Sequence, residues 1–171
     1  MDVLMIVLRL IHIFAGIFWI GVAMFMVGFV APTVQKLGAD GGKFMQGLVV
    51  HTPYGAAMGI TATSTFLTGA IMFYKTSDSF NGDWLSTTQG IVLSIGVVAG
   101  TLAWGHGAAT LAPRVTRIKT FAEEISRQGG VPTAEQVTGL QTVGEEIGTH
   151  SRISLVIAVV AVFCMASFRY F

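Results

Sequence analysis

Hydrophobic residues dominate the chain from Val3 to Ala31, broken only by Arg9 and His12. Such a run exceeds the ~20 apolar residues that a helix needs to cross the ~30 Å hydrocarbon core of a bilayer. Three further apolar stretches follow, at about 54–74, 90–112 and 150–168. The pattern predicts an all-α, integral membrane four-helix bundle, with Pro32 closing the first helix and the chain reversing in the polar, glycine-rich TVQKLGADGGK. Pro53 suits the first turn of the second span. Asn81-Gly82 marks a turn, Trp84 an interfacial aromatic, and Ser86 with Gln89 a capping box opening the third helix.

Beyond residue 112 the pattern changes without ending. Val115, Ile118, Ala122 and Ile125 recur at three and four, so the third helix runs on into water. GGVP turns the chain, Thr133 with Gln136 forms a second capping box, and Val137, Leu140, Gly144 and Ile147 offer a matching stripe on the return. The expectation is a helical hairpin over about 113–149, continuous with the third and fourth spans.

Composition sharpens this picture. The 171 residues are 53% hydrophobic and 11% charged, with mean hydropathy +0.70. That excludes a soluble globular domain and leaves one transmembrane domain over 1–171, with no room for a separate catalytic domain. The N-terminus lacks the basic start of a signal peptide, so the first helix is read as retained. A net charge of +1 and the absence of a basic tract argue against a nucleic-acid partner. Lys36, Lys43, Arg114, Arg117, Lys119, Arg127 and Arg152 flank the first and third connections, against Arg9, Lys75 and Arg169 on the other side. The positive-inside rule then puts the hairpin in the cytoplasm and both termini outside. Cys164 stands alone, outside any CxxC pattern, and no internal repeat stands out. Gly96 and Gly100 have the GxxxG spacing, which a homodimer or packing within one chain would equally satisfy.

Candidate chemistry rests on four histidines, His12, His51, His106 and His150, each in or beside a different span. An ionisable group at membrane depth is costly and normally faces a bundle interior or a cofactor. Arg9, His12, Ala15, Gly16 and Trp19 share one helical stripe, where the small residues leave room for a flat ligand and Arg9 could meet an anionic group. His106 has Ala99, Ala103, Ala109 and Thr110 near its face, and His51 has Gly47 and Gly55 on either side. Imidazoles projecting inward from neighbouring helices, with small residues beside them, are what a b-type haem requires. Depth separates the candidates. At 1.5 Å per residue His12 lies about 30 Å from Pro32, while His106 lies about 10 Å from Pro113. His106 could therefore pair with His51 or His150, and His12 could act alone or with Met72 or Met165. The plainer reading makes these histidines interhelical hydrogen-bond groups and lets Arg9 snorkel outward. The eight methionines form no MxxM ladder, Glu123-Glu124 and Glu145-Glu146 fall on polar faces, and Ser/His/Asp, phosphate-loop and zinc signatures are absent.

The stretch LRLIHIFAGIFWIGVAMF, with Pro32 and the loop glycines, resembles the opening of small four-helix bacterial membrane proteins in the copper-resistance-D-like superfamily. A similar first helix, HIxxGxxWxG, opens the membrane parts of urate-hydroxylase-type and HemJ-type protoporphyrinogen oxidase proteins. The resemblance is most specific from Leu8 to Phe25, and it implies a bacterial inner-membrane location and a haem associated with His12. The chain departs from these relatives in lacking a fused cytochrome c domain and a third-helix lysine anywhere in Gly90 to Ala112. Two functions are expected on these grounds. One is haem b-mediated electron transfer with a quinone or membrane redox partner. The other is a non-catalytic membrane subunit or assembly factor of a larger complex. A small-ion permease fits less, since no charged residue lies in Tyr54–Tyr74 or Ile153–Phe168.

Overall fold

A computed structural model describes residues 2–171 and contains six helices and no strand among them. They are α1 (Val3–Leu37), α2 (Ala39–His51), α3 (Tyr54–Thr76), α4 (Gly82–Leu85), α5 (Thr88–Arg127) and α6 (Ala134–Tyr170). Four of them, α1, α3, α5 and α6, are long and apolar enough to cross a bilayer. The protein is a multi-pass, all-α bundle with both termini at the end opposite the α5–α6 hairpin.

The first span does not stop at Pro32. Proline lacks an N–H, and its ring collides with the carbonyl four residues back. Here the helix widens into a π turn over Met26–Val30, just before Ala31-Pro32, and then continues to Leu37. A wider turn moves the offending carbonyl aside. Reversal comes at Gly38, whose φ of +56° is open to glycine but costly for other residues. Most of the TVQKLGADGGK segment is therefore helical, divided between the end of α1 and the start of α2. Gly41 lies so close to the Val34 backbone that a Cβ there would collide with the Val34 carbonyl.

The same device appears again in the second half. In α5 a π turn over Gly107–Leu111 immediately precedes Ala112-Pro113, and the helix then runs on to Arg127. Ala31-Pro32-Thr33-Val34 and Ala112-Pro113-Arg114-Val115 occupy equivalent places. Each long helix is followed by a return of similar length, α2 with α3 in the first half and α6 in the second. Both halves thus run as a long helix with a π turn before Ala-Pro-x-Val, followed by a return. The return is broken at Pro53 in the first half and continuous in the second.

Within each half the two spans pack most closely on each other, with α3 against α5 and α1 against α6 closing the bundle. In the α5–α6 seam a Cβ on Gly96 would lie 3.0 Å from Cys164 Cβ and 3.1 Å from Met165 Cγ. Ala99, Ala103, Ala158 and Ala161 are buried along the same seam. The GxxxG pair is therefore consumed inside the chain, where small residues let backbones approach. Outward faces carry exposed Phe14, Ile17, Val156 and Phe163, as lipid contact requires.

At the hairpin end the core is of a different kind. Val49 of α2, Ile118 of α5 and Val143 of α6 are buried together, with Tyr54, Val115, Phe121, Leu140 and Ile147 packed around them. The expected hairpin is thus a three-helix cluster in which α2 supplies the third face. Its Thr133–Gln136 capping box is present. The other expected box, Ser86 with Gln89, does not form: Thr87 caps α5 by accepting from the Gly90 N–H, while Ser86 donates to the Asp83 carbonyl.

Candidate functional site

His12 reaches from α1 into the seam with α3. Its Nδ1 lies 2.9 Å from the Thr65 carbonyl and 3.3 Å from Thr68 Oγ1. A carbonyl only accepts, and the Thr68 hydroxyl already donates to the Ser64 carbonyl at 2.6 Å. Nδ1 must therefore carry the hydrogen, which leaves Nε2 of the neutral ring as a bare lone pair with no hydrogen-bond partner among the described residues. The ring rests on Gly69, where a Cβ would stand 2.8 Å from His12 Cε1. Gly16, one turn along α1, faces Thr65, so small residues on both helices make the seam narrow enough for this contact. Thr65, Thr68 and Gly69 are the functional neighbours that the sequence reading missed. Their signal was the i, i+3, i+4 spacing of small and hydroxylated residues on one face of α3.

His106 and His150 meet in the other seam. His106 Nε2 and His150 Nδ1 are 3.2 Å apart, with ring centroids 5.2 Å apart and tilted by 52°. On its far side His106 Nδ1 contacts Ser154 Oγ at 2.7 Å. The result is a three-membered chain, Ser154–His106–His150, lying across the α5–α6 seam where the π turn begins. One turn toward the hairpin from His150, Glu146 receives Arg114 Nε at 2.8 Å, and Arg114 also donates to the Thr110 carbonyl. Of the two partners left open for His106, the structure brings His150 to it. His51 is exposed at the end of α2 and makes no hydrogen bond among the described residues.

Between these two places stands an aromatic pair. Phe66 of α3 and Trp104 of α5 stack at 4.3 Å with planes 4° apart, and Trp104 Nε1 donates to Thr63 Oγ1 at 3.3 Å. Counting along α3 from Thr63, which Trp104 touches, to Thr68, which His12 touches, the two contacts lie five residues, ~7.5 Å, apart in depth. That is closer than helix ends level at Pro32 and Pro113 implied, so the two prolines do not lie at one depth.

Whether these residues suit a haem can be judged from donor geometry. His12 meets one condition: its Nδ1 is held by a backbone carbonyl, the outer contact that orients most metal-bound imidazoles, and its Nε2 has no partner among the described residues. The nitrogens of the His106–His150 pair are instead turned on each other. These nitrogens touch at 3.2 Å, in a seam whose backbones are already close at Gly96. His51 joins no other candidate. No group of three or more His, Cys, Asp or Glu side chains with metal-binding geometry occurs among the described residues. Arg9 is exposed and forms no ion pair among them, while Ala15 and Gly16 are half-buried beside His12. Comparison with known proteins yields no matching family model, no curated relative and no solved structure.

Proposed function

We propose that this protein is a membrane-bound, b-type cytochrome-like electron carrier of the bacterial inner membrane, with His12 as the residue that holds haem iron. The observation that carries the reading is the hydrogen bond from His12 Nδ1 to the Thr65 carbonyl, which leaves Nε2 free at membrane depth. The resemblance of Leu8–Phe25 to haem-associated first helices supports it from a separate direction. A bound haem supplies one-electron chemistry, which needs tuned ligation and shielding from water, not acid/base residues. In this scheme α1 presents the imidazole, α3 fixes its tautomer and orientation, and Gly69 gives the ring room. Arg9, one turn from His12, is the cation available to a propionate. The electron partner is a quinone or another membrane redox complex, and the basic hairpin end faces the cytoplasm with both termini outside.

One observation favours a second reading. His12, His106 and His150 all have interhelical partners, which is what histidines do in a non-catalytic membrane subunit or assembly factor. A reduced-minus-oxidised absorption spectrum of the purified protein, expressed with ample haem and counted by pyridine haemochrome, separates the two. A b-type signal near one haem per chain is expected. A folded, colourless protein contradicts the cytochrome and leaves the subunit.

A further inference from the structure

Beyond the spans, the α5–α6 hairpin is a pair of antiparallel helices, and such a pair offers a groove on each side. α2 fills one of them, with Val49 buried against Ile118 and Val143. The other is an open groove of about 760 Å³ between Arg117, Phe121 and Glu124 on α5 and Glu135, Gly139 and Thr142 on α6. Those positions recur at four and three along each helix, the spacing of a face that receives another helix.

The walls of this groove are set in advance. The Arg117 guanidinium lies over the Phe121 ring, 5.5 Å from its centroid, and the ring reaches across to α6, where a Cβ on Gly139 would stand 2.8 Å from its Cζ. Thr138 and Thr142 donate their hydroxyls to carbonyls four residues back on α6, so that wall can lose water without orphaning a donor. At the tip, Gln128 donates to Gln136 at 2.6 Å and ties the two helices together.

What the groove lacks is charge partners. Glu123, next to Glu124, pairs with Arg127, and Glu146 with Arg114. Arg117, Glu124 and Glu135 form no ion pair among the described residues. Phe121 against Gly139 fixes the register: Glu124 and Glu135 stand near one depth on opposite walls, while Arg117 lies seven residues, ~10 Å, nearer the bundle. This arrangement selects the occupant. A second copy in the same membrane runs parallel to the first, so matching depths would set acids against acids. Anionic headgroups meet the same repulsion, and the groove lies past the level where α3 begins, since a Cβ on Gly55 would stand 3.5 Å from Val115 Cγ1. A helix with a carboxylate near the bundle and a cation two turns further out satisfies all three charged groups.

We propose that this groove docks a helix of a partner protein. That helix carries an acidic side chain at Arg117, an apolar one over Phe121 and Gly139, and a basic one between Glu124 and Glu135. α2 already packs in the same manner on the opposite side of the pair.

The test uses the full-length protein in nanodiscs of neutral phospholipid and a fluorescent, alanine-rich helical peptide with a leucine midway between a glutamate and a lysine two turns apart. A second peptide carries lysine at both charged positions. Saturable binding, read by anisotropy, is expected for the first peptide and should be about tenfold tighter than for the second at low salt. Arg117→Glu should reverse that order. Thr142→Trp, at an exposed position outside the core, should abolish binding with helical content unchanged. No saturable binding of the first peptide, an order that Arg117→Glu leaves as it was, or binding that survives Thr142→Trp overturns the proposal. So does a lower oligomeric mass of Thr142→Trp than of wild type in detergent, which would give the groove to a second copy. None of these readouts depends on haem, so the His12 reading stands or falls separately.

Discussion

His12 owes its orientation to a carbonyl that α3 would otherwise use only for its own ladder. Because the contact is to backbone, no side-chain deletion on α3 removes it, and the ring's footing on Gly69 becomes the sensitive point. Gly69→Ala would put a methyl group 2.8 Å from His12 Cε1, so the imidazole or the helix must shift. Overpacking of this kind costs about 1–3 kcal/mol. The expected result is a folded protein with reduced haem content, read by pyridine haemochrome; full haem retention would show that the ring has another resting place. At the terminal end, Asp2 caps α1 by accepting from the Leu4 and Met5 N–H groups and pairs with Lys75 at 2.8 Å. The hydrogen bond from Lys75 is the main influence holding its carboxyl below the usual range. A depressed acid in the folded state stabilises above its unfolded pKa, near 4, and that contribution is lost as pH falls through the folded value. Amides of the first turn of α1 should therefore exchange faster below about pH 4, and Asp2→Ala, which removes both the cap's acceptor and the charge, should show the fast exchange at neutral pH. Salt should shrink the difference, since both partners are substantially exposed.

Among the elements, the four spans were legible because a bilayer imposes a length of apolar chain that few other structures use. Their ends were not. Pro32 and Pro113 look alike in sequence, yet the pattern around them predicts a stop at the first and continuation at the second. The structure treats both the same way, absorbing each with a π turn. A π turn has no composition of its own, so the shared Ala-Pro-x-Val was its only trace. The capping boxes divide similarly: Thr133–Gln136 stands because its neighbours offer no competing hydroxyl, whereas Ser86 sits beside Thr87, which takes the cap. Seam packing was half-legible. GxxxG announced a close helix contact but not its partner, which proved to be Cys164, Met165 and Ala161 of the same chain. Gly96→Ala should destabilise the bundle by about 1–3 kcal/mol in a detergent unfolding series, because its Cβ would meet backbone-proximal atoms. Gly59→Ala, where nothing lies within 4 Å, should cost nothing by packing and serves as the control.

For the whole molecule, two halves of like element order organise both chemistry and stability. Each half supplies a long helix with a π turn and a return helix, and each has acquired a different histidine contact: His12 on α3 in the first half, His106 on His150 in the second. Sequence alone places His12, His106 and His150 in or beside helices that could span but leaves their partners open, because a contact between distant helices depends on rotation and depth that periodicity does not encode. The hairpin end rests on a separate core, so Val143→Ala should lose about 1–3 kcal/mol locally. Amides of residues 115–147 should lose protection while the haem signal of the bundle stays unchanged. A parallel loss of both would mean that the two ends form one cooperative unit.

The most direct test of the central claim compares wild type with His12→Gly and with the double variant His106→Gln/His150→Gln, each purified after expression with haem. Wild type and the double variant should show the same reduced b-type spectrum, and His12→Gly should be colourless until imidazole and haem are added together. Loss of haem in the double variant, with His12→Gly unaffected, would contradict the account and move the site to the other seam.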